Sequence, residues 1–191
     1  MIKPMPISNL PMIVTWIRIL ITPLVAGLML LEVNNWHIWA SGLFVLASIT
    51  DWLDGYLARK LNAVTLWGKF LDPIADKVLV STVLILLVPL GRLDAVAVIL
   101  LLNRDILIGG VRSVAATYGL VISAGPLGKW KTALQMIAIP LLLFGGAPFG
   151  INIVEIGYWG IWISVALSVI SGLQYFLAFQ KLVPTIPEGN S

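Results

Sequence analysis

Long apolar runs, parted by short polar breaks, fill this chain, and six of them have the length of bilayer-crossing helices. Crossing the hydrocarbon takes about 20 residues. The pattern predicts spans at about 13–33, 36–59, 68–90, 94–118, 130–148 and 153–179. The breaks Glu32–Asn35, Gly91–Asp94 and Gly145–Pro148, the last extended by Phe149–Asn152, mark turns. Pro23, Pro89 and Pro140 mark places where a helix kinks or ends.

Composition turns this pattern into a class. Of 191 residues, 59% are hydrophobic and 11% charged, whereas a soluble domain carries about 25% charged residues. The expected fold is therefore an all-α integral membrane protein of six transmembrane helices. Residues 1–182 would form one membrane domain and 183–191 a polar C-terminal tail. Met1–Leu10 has the length of a short interfacial segment, and Lys3 followed by Pro4 and Pro6 lacks the layout of a signal peptide.

The basic residues set an orientation. Lys3 precedes the first span, Arg59 and Lys60 follow the second, Lys129 and Lys131 follow the fourth, and Lys181 follows the sixth. The opposite loops contain Arg92. By the positive-inside rule both termini are cytoplasmic. Tryptophan agrees: Trp16, Trp52, Trp67 and Trp130 fall at the predicted cytoplasmic level, and Trp36, Trp39, Trp159 and Trp162 at the other. The expected location is the cell membrane, multi-pass.

Chemistry concentrates in one segment. Asp51, Asp54, Gly55 and Ala58 follow the i, i+3, i+4, i+7 spacing of one helical face, and Gly68, Asp72 and Asp76 share another by steps of four. A short connection would pair the two helices antiparallel, bringing the acidic faces together at the cytoplasmic ends. An Asp at mid-bilayer costs about 2.5–3.5 kcal/mol on insertion scales, so four acids call for counter-charges. Cysteine is absent and His37 is the single histidine. A metal here would use oxygen ligands, which suits one or two hard divalent ions such as Mg²⁺ or Mn²⁺. Structural readings also exist. Asp72 could cap a helix starting at Pro73, Asp51 and Asp54 could pair with Arg59 and Lys60, and the small residues could serve helix packing.

The run Asp51–Asp76 resembles the signature of the CDP-alcohol phosphotransferases, D-x₂-D-G-x₂-A-R-x₈-G-x₃-D-x₃-D, with every fixed position matched. The resemblance implies that Asp51, Asp54 and Asp72 hold a pair of divalent ions. Asp76 would touch the same site and act as base on the acceptor hydroxyl. Asp54, Gly55, Ala58, Arg59 and Gly68 would line the site for CDP-diacylglycerol. Pro11–Arg18 is similar to a P-N-x₂-T-x₂-R pattern of the family, with Met12 in place of the Asn, and adds Thr15 and Arg18 to that pocket. Arg18 could alternatively snorkel to the interface. A homodimer among membrane lipids is also implied, and no nucleic-acid partner is expected.

The acceptor side lies further along. Arg104-Asp105 and Arg112 fall in the fourth span, and Lys129 and Lys131 open the fifth. Arginine and lysine beside an acidic metal site suit a phosphate-bearing acceptor. The stretch is similar to the branch of the family that makes phosphatidylglycerophosphate, which implies glycerol 3-phosphate as partner, held by Arg104, Arg112, Lys129 and Lys131. The structural readings are an Arg112–Asp105 pair and lysines acting only as interfacial anchors. His37 reads as interfacial, and Arg92, Asp94 and Glu155 as solvated rim groups. Rival functions are a sister enzyme using inositol phosphate, serine or phosphatidylglycerol, and a divalent-cation transporter. Transport needs access from both faces, whereas the four acids fall toward one predicted side.

Overall fold

The computed structural model describes the backbone of residues 10–61, 66–118 and 125–182, and the side chains of 16–51, 74–75, 77–118, 125–148 and 150–180. Six α-helices account for most of it: α1 Leu10–Leu31, α2 Trp36–Leu61, α3 Leu66–Leu87, α4 Ala95–Thr117, α5 Pro126–Phe144 and α6 Ile153–Leu182. A 3₁₀ turn at Pro148–Gly150 joins the last two. Among the described residues there is no strand.

Most helix ends follow from local chemistry. Glu32 and Asn35, at φ 45° and 58°, turn the chain from α1 into α2. α5 starts four residues before the hydropathy boundary, because Gly125 in extended backbone leads into Pro126 at the first helical position. It stops at Gly145, whose φ of 69° breaks the helix. Pro89 lies in the turn after α3, whereas Pro23 and Pro140 sit inside α1 and α5. Next to Pro23, Thr22 Oγ1 donates to the Arg18 carbonyl at 3.1 Å. Ser41 Oγ donates to the Pro140 carbonyl at 3.1 Å, tying α2 to α5.

The core runs through the middle of the bundle, with Val25, Phe44, Val83, Leu101, Ile139, Leu142 and Ile161 buried together. α5 and α6 form the closest pair. A Cβ on Gly157 would come within 2.9 Å of the Ala138 carbonyl oxygen, and one on Gly160 within 3.0 Å of the Ala138 Cβ. Small residues let the two backbones meet there. α1 packs on both α2 and α3. The antiparallel pairing expected for the two acidic helices falls on 52–73, whose side chains lie outside the described residues.

Large apolar side chains are exposed on every helix, including Leu20, Leu46, Ile85, Ile106, Ile137 and Leu173. Among the described residues, Ile153–Gln180 is long and apolar enough to cross a membrane, and Trp16–Leu31 and Lys77–Leu87 are shorter apolar stretches.

One expectation about the rim is incomplete. Arg92 is only part-exposed and is engaged by the fold: its Nη1 donates to the carbonyls of Leu142 and Leu143, each at 2.7 Å. Its guanidinium also lies 5.0 Å from the Trp36 ring centroid. Burial lowers its pKa. Arg92 thus satisfies carbonyls that the end of α5 leaves open. Asp94 accepts a hydrogen bond from Tyr158, while Glu155 is exposed in the first turn of α6 as expected. His37 sits edge-on to Trp36 and Phe144 at this same end.

Candidate active site

The signature falls on two helices. Positions 51, 54, 55, 58 and 59 occupy the last turns of α2, and 68, 72 and 76 the first turns of α3. Helical backbone throughout keeps 51, 54, 55 and 58 on one face, and 68, 72 and 76 on one face. Four residues, 62–65, separate the helices. α3 begins at Leu66 and continues through 72 and 73, so Asp72 is not an N-cap. The side chains of Thr15, Asp54, Ala58, Arg59, Asp72 and Asp76, with the surroundings of Gly55 and Gly68, lie outside the described residues.

Asp51 is the member of the acidic set whose side chain is described. Arg18 reaches it from α1, with Nη2 to Oδ1 at 2.6 Å. Arg18 is 2% exposed, so it does not snorkel to the interface. The Asp51 side chain is 42% exposed. The guanidinium therefore holds one carboxylate oxygen while Asp51 still faces open space. Arg18 Nε and Nη1 have no hydrogen-bond partner among the described residues. A buried guanidinium with idle donors is costly unless something anionic completes it.

Among the described residues no three metal-ligating groups cluster. The donor set still suits a hard divalent ion. Its groups are carboxylates, and Asp51 keeps an oxygen outside the Arg18 pair.

A second charged group lies on α4, α5 and α6. Asp105 Oδ1 accepts from Arg104 Nη1 at 3.0 Å and from Lys131 Nζ. Lys131 is 3% exposed, so it is no interfacial anchor, whereas Lys129 is exposed. Asp105 thus pairs with Arg104 and Lys131 in place of Arg112. Arg112 instead lies 5.3 Å from the Tyr175 ring centroid on α6, a favourable cation–π distance. Arg104 also donates from Nε to the Ser168 carbonyl at 3.2 Å and from Nη2 to Ser171 Oγ at 2.9 Å. Lys77 joins this group from α3: a Cβ on Gly109 would sit 3.5 Å from its Nζ. The stretch of α4 from Arg104 to Arg112 therefore gathers more positive than negative charge, and Lys77 directly follows Asp76 in the acidic signature.

The comparisons fit this arrangement. Residues 8–170 match the family model described as CDP-alcohol phosphatidyltransferase. The chain belongs to the CDP-alcohol phosphatidyltransferase family. It is 42% identical over 180 residues to the CDP-diacylglycerol–glycerol-3-phosphate 3-phosphatidyltransferase of Bacillus subtilis (strain 168), covering 88% of this chain and 93% of that one. It is 40% identical to the protein of the same name from Rickettsia felis, over 91% of this chain and 97% of the relative. The Rickettsia prowazekii protein of that name is 42% identical, over 90% and 95%. The chain is thus an enzyme of this membrane-associated family.

Within that family setting, sequence reasoning passed over two residues. Lys77 carried a signal, since it sits beside Asp76. Tyr175 carried none, because one tyrosine in an apolar helix looks like core.

Proposed function

We propose that the chain transfers the phosphatidyl group of CDP-diacylglycerol to sn-glycerol 3-phosphate, yielding phosphatidylglycerophosphate and CMP. The observation that supports this reading is a complete acidic signature along α2 and α3 together with a cation-rich group on α4 and α5, in a chain 42% identical to a Bacillus subtilis enzyme of that name.

Each group has a task. Asp76 takes the proton of the acceptor hydroxyl as its oxygen attacks the phosphorus next to the diacylglycerol. The P–O bond to CMP breaks, and the electron pair leaves on CMP. Asp51, Asp54, Asp72 and Asp76 would hold two Mg²⁺ or Mn²⁺ ions, which supply charge neutralisation on the diphosphate when bound. Gly55, Ala58 and Gly68 let the cytidine nucleotide and its diphosphate approach the helix backbone closely, while Thr15, Arg18, Asp54 and Arg59 contact them. Arg104, Arg112, Lys129 and Lys131 hold the acceptor phosphate. Lys131 and Arg104 come preset on Asp105, so the acceptor meets oriented cations.

The proposed setting is a bilayer crossed by all six helices, with both termini and the acidic site on the cytoplasmic side of the cell membrane. Apolar side chains exposed on every helix support it. Lipid tails would enter sideways, and CMP and glycerol 3-phosphate would exchange with the cytosol. A homodimer follows from the family resemblance.

The test is CMP release by purified protein with Mg²⁺ or Mn²⁺, offered glycerol 3-phosphate, inositol phosphate, serine or phosphatidylglycerol in turn. Turnover with glycerol 3-phosphate alone is the expected result. Turnover with another acceptor would keep the chemistry and overturn the acceptor. Divalent-ion flux into sealed vesicles without CMP release would replace the enzyme by a transporter.

A further inference from the structure

α6 is apolar along most of its surface, with Ile170, Leu173, Phe176 and Leu177 exposed. Its face toward α4 departs from that pattern. Ser168, Ser171, Gly172 and Tyr175 follow i, i+3, i+4, i+7 spacing and share one side of the helix. This stripe lies against the basic stretch of α4. Gly172 lets the stem of Arg104 lie across the helix, since a Cβ there would be 3.3 Å from Arg104 Cγ. Arg104 spends Nη2 on Ser171 Oγ and Nε on the Ser168 carbonyl. Arg112 rests over the Tyr175 ring.

Two hydroxyls on this stripe are left over. Tyr175 is 6% exposed and Ser168 is 1% exposed. Tyr175 Oη and Ser168 Oγ have no hydrogen-bond partner among the described residues. Buried polar groups are nearly always paired, so an orphan calls for an explanation. Neither orphan is needed to hold the arginines. The cation–π contact uses only the aromatic ring, and Arg104 uses the Ser168 carbonyl rather than its hydroxyl. A phenylalanine at 175 would hold Arg112 equally well and suit the apolar helix better. The hydroxyl is therefore surplus to the fold.

We infer that Tyr175 is a specificity-determining residue: its Oη hydrogen-bonds the non-reacting hydroxyl of a phosphorylated polyol acceptor whose phosphate is taken by Arg112 above its ring. This rests on the glycerol 3-phosphate reading and deepens it. A phenol both donates and accepts, so it pairs with an alcohol in either sense. A site built to hydrogen-bond a substrate hydroxyl rejects an analogue that lacks it, because the site's own polar group is then left buried and unpaired. Discrimination would thus come from α6, while the chemistry is done from α2 and α3.

The experiment compares sn-glycerol 3-phosphate with 3-hydroxypropyl phosphate, which keeps the phosphate and the terminal hydroxyl but lacks the secondary one. The full chain, Tyr175→Phe and Tyr175→Leu are assayed in detergent micelles by CMP release. The unaltered chain should prefer glycerol 3-phosphate by about 10⁴-fold in kcat/KM. In Tyr175→Phe that preference should collapse to within about threefold, through loss on glycerol 3-phosphate alone, with the KM for CDP-diacylglycerol unchanged. Tyr175→Leu should lower both acceptors further, because Arg112 then loses its ring as well. A preference that survives Tyr175→Phe, with both acceptors lowered equally or neither lowered, would overturn the assignment while leaving the reaction standing. No CMP from the unaltered chain with glycerol 3-phosphate would instead overturn the reaction, and the assignment with it.

Discussion

Two arginines, part-exposed Arg92 and buried Arg18, show how differently this bundle uses the same side chain. Arg92 caps the end of α5 and lies over Trp36, the first residue of α2. Arg18 grips Asp51, fifteen residues further along α2, about 22 Å away at 1.5 Å per residue. Arg92 spends itself on carbonyl oxygens and an aromatic face, all supplied by the fold. Among the described residues Arg18 makes one ion pair, and its Nε and Nη1 have no partner. The difference teaches a rule for the whole molecule. At the Arg92 end charge completes the protein's own backbone, whereas at the Arg18 end two guanidinium nitrogens, and on the α4–α6 wall two hydroxyls, have no partner among the described residues. Substitutions should therefore separate into those that cost activity and those that cost stability.

The largest separation is expected from removing divalent ions. Chelation should abolish CMP release, with Mg²⁺ or Mn²⁺ restoring it, and turnover persisting in excess chelator would remove the metals from the mechanism. Asp76→Asn comes next, with turnover lower by about 10²–10⁴-fold and an unchanged thermal midpoint. Arg18→Gln should lower kcat/KM for CDP-diacylglycerol by about 10- to 100-fold. The half-exposed Asp51 can rehydrate, so the stability change should stay small. A large fall in midpoint with intact kinetics would show that Arg18 belongs with Arg92. Arg92→Gln should do the reverse, costing roughly 1.5–3 kcal/mol of stability through lost charged hydrogen bonds while kcat at low temperature is kept. Gly157→Leu should act in the same direction by about 1–3 kcal/mol, because its Cβ would meet the Ala138 carbonyl oxygen. Thermal unfolding in detergent and CMP release from the same preparations check all four substitutions.

What the sequence could tell depended on the range of the interaction. Hydropathy placed all six helices, and Gly91 and Gly145 marked breaks, because these are local properties. The acidic segment was legible for the same reason: its spacing lies within 26 residues and stays in helical register on α2 and α3. Partners distant in sequence could not be read. Arg92 looked like a solvated rim group because the carbonyls it binds are 50 and 51 residues away. Lys131, expected at the acceptor phosphate, left an interfacial-anchor reading open because its partner Asp105 is on another helix, 26 residues earlier. The i, i+7 spacing suggested Arg112 for Asp105, but Lys131 approaches from α5 and takes that place, and Arg112 turns to α6 instead. Spacing along one helix cannot weigh such competition. The start of α5 was missed for another reason: hydropathy averages over Gly125 and Pro126, which fix the helix start sterically.

The capping contact of Arg92 also bears on how the chain is made. Arg92 leaves the ribosome 50 residues before the carbonyl of Leu142 exists. At about 5–20 residues per second that is a wait of roughly 3–10 s. Until α5 arrives, the guanidinium has the earlier-made Trp36 ring but neither of the carbonyls it will cap. The turn between α3 and α4 is therefore fastened only when the fifth helix arrives and supplies the carbonyls that Arg92 binds.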